Sequence, residues 1–157
     1  MLPEDYEESE APYADASQAV VATIFFVVWA SDSFWLHVTT SYSQYIPSSI
    51  RNALFLVFTV AGGYMGWRAH EQIFGVAREE AELVDYGVYG LSRHPMYLGI
   101  MTVFLGLVVS TASVAALVAL LGVFLFYHYL ASYEEMKLVE FFGDRYVAYM
   151  ARVRRWV

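Results

Sequence analysis

Apolar residues in this chain gather into four runs separated by charged joints, a pattern that predicts helices crossing a membrane. Ala16 to about Leu36 is broken only by Asp32 and its flanking serines. It is long enough to cross a hydrocarbon layer roughly 30 Å thick at about 1.5 Å per residue. Asn52 to Trp67 is shorter and carries Gly62, Gly63 and Gly66, small residues that let helix backbones approach closely in lipid. Met96 to Leu130 holds no Asp, Glu, Lys or Arg and is nearly twice as long as the roughly 20 residues one span needs, so it must fold back. Ser110-Thr111-Ala112-Ser113 is its one polar cluster near the middle and marks the turn. The expected fold class is all-α: a polytopic membrane helical bundle of about four transmembrane helices, with a tight helical hairpin and a cytoplasmic amphipathic C-terminal segment.

The joints orient the bundle. Arg68, Arg78 and Arg93 lie between the second and third runs, and Lys137, Arg145, Arg152, Arg154 and Arg155 follow the fourth. The first connection offers only Arg51, and the turn at 110–113 has no base. Basic loops stay in the cytoplasm, so both charged regions and both termini are expected there, with the protein integral to the cell membrane and multi-pass. Gly75 to Asp85 has helical composition, with Arg78 and Glu82 four residues apart, and suggests a short interfacial helix. Glu134 to Val153 places Met136, Val139, Phe142 and Tyr146 on one apolar stripe that Gly143 could bend, as expected of a surface segment closing over a site. The domain reading is an acidic tail over 1–15, two N-terminal spans over 16–67, and a catalytic core over 68–157.

Composition sharpens the class. A hydrophobic share of 59% and a mean hydropathy of +0.45 exceed those of ordinary soluble domains. The net charge of -7 is concentrated at the start, where Glu4, Asp5, Glu7, Glu8, Glu10 and Asp15 occur without a base. Such a tail argues against nucleic acid or anionic lipid as its partner. With no basic residues before it, the first run is expected to remain as a span rather than be cleaved as a signal. The absence of cysteine excludes disulfides, thiolate metal sites and a thiol nucleophile. The four histidines show no metal-ligand spacing, so no metal is expected, and no dinucleotide-binding or phosphate-loop glycine pattern is present.

The densest chemistry is Tyr89-Gly90-Leu91-Ser92-Arg93-His94-Pro95-Met96-Tyr97-Leu98-Gly99. Pro95 suits the first turn of a helix, which leaves Arg93 and His94 at its cap beside a terminus that attracts anions. Glu134 and Glu135 stand at the far end of the hairpin, on the same side of the membrane. Acids there gain nothing from the lipid field and favour a basic partner or a polar ligand. An Arg snorkelling to phosphate and a Glu paired with Arg93 or Lys137 would account for the same residues structurally. His128 falls about two turns before Glu135 on one helix face, as Tyr127 does before Glu134. Asp32 is an unusual charge within a span, unless that span ends at Ser31.

Gly87-x-Tyr89, Arg93-His94-Pro95-Met96-Tyr97-Leu98-Gly99, a hairpin, Glu134-Glu135-x-x-Leu138, and Phe142-Gly143-x-x-Tyr146-x-x-Tyr149 occur in an order that resembles the isoprenylcysteine carboxyl methyltransferase and phospholipid methyltransferase superfamily. That resemblance covers roughly the last 75 residues. It implies an S-adenosylmethionine-dependent methyltransferase whose lipophilic substrate enters from the bilayer among membrane lipids, the acceptor being an isoprenylcysteine-like carboxylate or a lipid amine or thiol. It also implies that Tyr89, Arg93, His94, Tyr97, Leu98, Gly99, Glu134 and Glu135 contact S-adenosylmethionine or its product S-adenosylhomocysteine. Arg93, Glu135 and His128 are the catalytic candidates. A carboxylate acceptor needs no base, whereas an amine or thiol would call on His128, His94 or a Glu. A membrane reductase of the sterol-reductase type using NADPH and a non-catalytic membrane scaffold stay open as alternatives. The terminus departs from the pattern in lacking the proline often found after the final tyrosines.

Overall fold

The computed structural model describes residues 14–75 and 82–157, and among these it contains helices and no strand. Helix α1 spans Ala14–Ala30 and widens into a π-turn at Ser31–Leu36. A 3-10 turn at Ser41–Tyr45 leads to α2, Ser48–Phe74. A second 3-10 turn, Gly87–Gly90, precedes α3, Pro95–Thr111. Helix α4 spans Val114–Phe142 and α5 Asp144–Arg152.

The punctuation read from the sequence holds at three points. Pro95 opens α3 with His94 at its N-cap. The hairpin turns at Ala112, in the left-handed region with φ 51°, and Ser113 caps α4 by accepting from the Ala116 amide at 3.0 Å. Gly143, with φ 56°, ends α4 and begins α5.

Three expectations change. The first described helix takes in Ala14 and Asp15, the last two residues of the expected tail; residues 1–13 lie outside the described residues. Most of the expected interfacial helix, Arg78 included, also lies outside them, and residues 82–85 are not helical. The amphipathic segment expected over Glu134 to Val153 is not one unit, because the residues up to Phe142 are the last turns of α4. An apolar helix continues through acidic residues where their carboxylates find partners. Met136 accordingly projects outward, half exposed, while Val139 and Phe142 pack with Tyr146, Tyr149 and Val153.

Two described helices are long and apolar enough to cross a membrane, Ala14–Leu36 and Val114–Phe142. Helix α3 is apolar but shorter, with 17 residues. The 27 residues of α2 are diluted by its glycines and by Arg68, His70 and Glu71.

Packing does not follow chain order, since α1 lies against α4 and α2 against α3, with α3 and α4 joining the pairs. Phe25 of α1 stacks on Phe104 of α3 at 4.2 Å, in a core with Met101, Val123 and Leu130. A methyl group on Gly62 would lie 2.5 Å from the Gly99 carbonyl, so α2 and α3 touch backbone to backbone. Gly63 faces open space.

The end of the bundle bearing the hairpin turn is closed by Asp32. Its carboxylate accepts from the Thr39 amide at 3.0 Å, the Thr39 hydroxyl at 2.6 Å and the Ser113 hydroxyl at 2.5 Å. Ser33 donates to Thr111 at 2.9 Å, and Arg51 to the Ser110 carbonyl at 2.5 Å. This buried acid is tied down by hydroxyls at the turn that the sequence identified, which accounts for a charge within an apolar run.

Candidate functional site

The opposite end of the bundle assembles the charged residues. The approach is fixed by Gln72 of α2, whose amide donates to the Tyr86 carbonyl at 3.3 Å and accepts from the Val88 amide at 3.2 Å. Gly87 has φ 61°, and a methyl group there would lie 2.0 Å from the Gln72 amide nitrogen. Only glycine satisfies both the conformation and the contact. The chain then delivers Tyr89 to Tyr97 onto the N-terminal end of α3, facing the last turns of α4.

Glu135, 3% exposed, is the hub. Its Oε1 accepts from Arg93 Nε at 2.9 Å, faces His94 Nε2 at 3.1 Å and accepts from Arg155 Nε at 3.0 Å, while Oε2 accepts from Arg155 Nη2 at 2.6 Å. Arg93 also donates through Nη1 to the Met150 and Val153 carbonyls at 3.1 and 3.0 Å, so it clamps the end of α5. Glu134, one residue earlier, takes the Tyr97 hydroxyl and lies 3.4 Å from His94 Nδ1. Tyr97 in turn stacks between His94 and Tyr127, with ring centres 5.6 and 4.7 Å away. The shared helix face expected for Tyr127 and Glu134 is thus realised through Tyr97.

His94 is 6% exposed and has a carboxylate oxygen at each ring nitrogen. Burial disfavours its charged form, but Glu134 and Glu135 outweigh that and hold its pKa above the ordinary imidazole value. Only the imidazolium can donate to both carboxylates. A raised folded pKa means that this stabilisation is complete below the ordinary imidazole value and is lost as pH rises through the folded one. The melting temperature should therefore fall with pH across that interval in the parent and fall less in His94→Gln. Parallel pH profiles of the two proteins in detergent would refute the charged sandwich.

Beside this cluster lies a cavity of about 400 Å³, within the range of small-molecule sites. Asp15 and Gln18 come from α1, Ile73 and Phe74 from α2, Tyr89, Arg93, His94, Met96 and Tyr97 from the motif, and Glu134 and Leu138 from α4. The structure thus brings Tyr89, Arg93, His94, Tyr97 and Glu134 of the expected site to one wall. Glu135 stands behind them. Leu98 and Gly99 do not line the cavity: Leu98 packs on the core, and Gly99 is spent on the contact with α2. His128 is also outside it, on an exposed face where Arg155 Nη1 and Trp156 Nε1 lie 3.3 and 3.4 Å from its ring nitrogens. Gln72, Ser92 and Arg155 were not anticipated as site residues. Ser92 is fully buried and donates to the Arg155 carbonyl at 2.7 Å. No local signal in the sequence distinguishes Arg155 from its neighbours Arg152 and Arg154.

The sequence profile of the phospholipid methyltransferase family matches residues 50–145, which contain the motif, the hairpin and the Glu pair. Protein-S-isoprenylcysteine O-methyltransferase B of Arabidopsis thaliana is 35% identical over 88 residues, which cover 55% of this chain and 45% of that protein. This chain therefore aligns with less than half the length of its curated relative. No solved structure matches the chain significantly. With the matched region spanning more than half of the sequence and enclosing Arg93, His94, Tyr97, Glu134 and Glu135, the chain belongs to the phospholipid methyltransferase family.

Proposed function

We propose that this protein is an integral membrane S-adenosylmethionine-dependent methyltransferase acting on a lipophilic acceptor. The observation that carries the reading is the cavity walled by Arg93, His94, Tyr97 and Glu134, inside the region matched by the family. Its donor set suits the cofactor. Glu134 and Asp15 offer acceptors for an amino group and ribose hydroxyls, the aromatic rings of Phe74, Tyr89 and Tyr97 offer surfaces for adenine, and Arg93 and His94 supply positive charge for a carboxylate. When bound, S-adenosylmethionine supplies a methyl group activated by its sulfonium.

The protein's part is positioning in a dry site. The Tyr97 hydroxyl donates to one Glu134 oxygen and thereby fixes the direction in which the carboxylate faces the cavity. As the imidazolium, His94 donates from both nitrogens and has no lone pair with which to act as a base. His128 lies off the cavity. A carboxylate acceptor needs no proton removed, and for an amine or thiol acceptor Glu134 and Asp15 are carboxylates on the cavity wall. The Arabidopsis relative is, by its name, an O-methyltransferase of protein S-isoprenylcysteine. An acceptor carboxylate on a lipidated thioether is the corresponding proposal for this chain.

In this reading α1 to α4 all cross the membrane, with the cavity and both termini on the cytoplasmic face and the substrate entering from the lipid. Titration calorimetry of the detergent-purified protein should register S-adenosylhomocysteine and not NADPH. Heat from NADPH alone would favour a reductase. Cysteines placed at the exposed positions Tyr45 and Val157 test the topology with a membrane-impermeant thiol reagent. In intact cells Tyr45→Cys should label and Val157→Cys should not.

A further inference from the structure

The extreme C-terminus contributes a group that the proposed site depends on without lining the cavity. Arg155 reaches across to α4, where His128, Ser132 and Glu135 share one face. Its Nε and Nη2 grip the two Glu135 oxygens as a fork, at 3.0 and 2.6 Å, and Nη1 donates to the Ser132 hydroxyl at 2.7 Å. Its backbone carbonyl accepts from Ser92, and the preceding carbonyl, of Arg154, accepts from the Arg93 amide at 3.1 Å. The tail thereby stitches the start of α3 to the end of α4.

We propose that Arg155 is a positioning residue that fixes the orientation of the Glu135 carboxylate and, through it, the placement of Arg93 and His94; the catalytic meaning of this role rests on the methyltransferase reading above. Arg93 and His94 both engage Oε1, whereas among the described residues Oε2 is held by Arg155 alone. Without the fork the carboxylate can turn about its terminal bond and offer separate oxygens to Arg93 and His94. Their shared acceptor is then lost, and His94 shifts relative to Glu134 and Tyr97 on the cavity wall. A lysine would preserve the charge, but a single nitrogen cannot reproduce the planar two-point grip.

A double-mutant cycle with Glu135→Gln tests the proposal. Arg155→Ala should weaken S-adenosylhomocysteine binding about tenfold or more, in line with the loss of a charge-assisted contact. Arg155→Lys should not restore it, whereas free guanidinium at millimolar concentration should restore part of it in Arg155→Ala. In the Glu135→Gln background, Arg155→Ala should have little further effect. Parent-like affinity in Arg155→Lys, or fully additive losses, would overturn the positioning role. If Arg155→Ala fails to fold, Arg155→Lys carries the cycle. If the parent does not bind S-adenosylhomocysteine, the methyltransferase reading falls by itself. The cycle is then read on thermal unfolding midpoints, where additivity would still refute control of Glu135 by Arg155.

Discussion

Glu135→Ala should destabilise the protein by about 3–5 kcal/mol, the usual loss when one partner of a buried ion pair is deleted. The carboxylate lies among the guanidinium groups of Arg93 and Arg155 and the His94 ring, all within 3.1 Å of its oxygens. Truncation leaves two arginines facing each other without the acid that holds them together. Arg93 is also the donor that grips the Met150 and Val153 carbonyls, so the damage should spread to α5 and the tail. Denaturant titration in mild detergent gives the magnitude. Limited proteolysis should cut residues 144–157 of the variant first. A variant with the parent's midpoint and an equally protected C-terminus would show that the hub contributes nothing to stability.

The second large effect is expected at the α2–α3 contact. A Cβ on Gly62 would come within 2.5 Å of the Gly99 carbonyl and 2.9 Å of Val103 Cγ2, and a Cβ on Gly99 would lie 2.7 Å from the Gly62 carbonyl. The obstacles include backbone atoms, so the helices must separate. Overpacking of this kind costs about 1–3 kcal/mol for a methyl and more for a larger side chain. Gly62→Ala should therefore destabilise, Gly62→Val should do so more strongly, and Gly99→Ala should behave like Gly62→Ala. Gly63 and Gly66 provide internal controls, because a Cβ on either meets nothing within 4 Å. Alanine there should be neutral or stabilising by about 0.5–1 kcal/mol, through the entropy glycine loses on entering a helix. Equal effects at all four positions would mean that helix propensity, and not close packing, governs this surface.

Local rules made the helix ends legible. Pro95, Ser113 and Gly143 act through their own backbone or the next turn: Pro95 opens a helix as the sequence predicts, Ser113 lies in the polar cluster that marks the turn, and Gly143 falls at the expected break. The motif and Glu pair were legible as a cluster because the hairpin length brings their helix ends together. Their division of labour was not. The sequence reading treats Glu135 and Gly99 as ligand contacts, whereas Glu135 is covered by arginines and Gly99 by α2. Both outcomes depend on residues distant in the chain, Arg155 in the first case and Gly62 in the second. His128 was placed on the correct helix face, but that face meets the tail and not the cavity. The end of the fourth run was misjudged because hydropathy stops at the first charges, whereas the helix continues for as long as those charges find partners.

The order in which the helices pair has a kinetic consequence. Helix α1 is made before α2, α3 and α4, yet it is tied to the second half of the chain: Trp29 donates to the Leu107 carbonyl and Asp32 takes the Ser113 hydroxyl. While α2 and α3 can zip together as soon as both have emerged, α1 must wait until the hairpin turn and α4 have followed. The described bundle is thus completed by the docking of a helix made well before its partner α4, and assembly should be slowest at that step. Until then the Asp32 carboxylate lacks Ser113, one of the hydroxyls that make its burial tolerable, which favours leaving this end of α1 at the water interface as the remaining helices arrive.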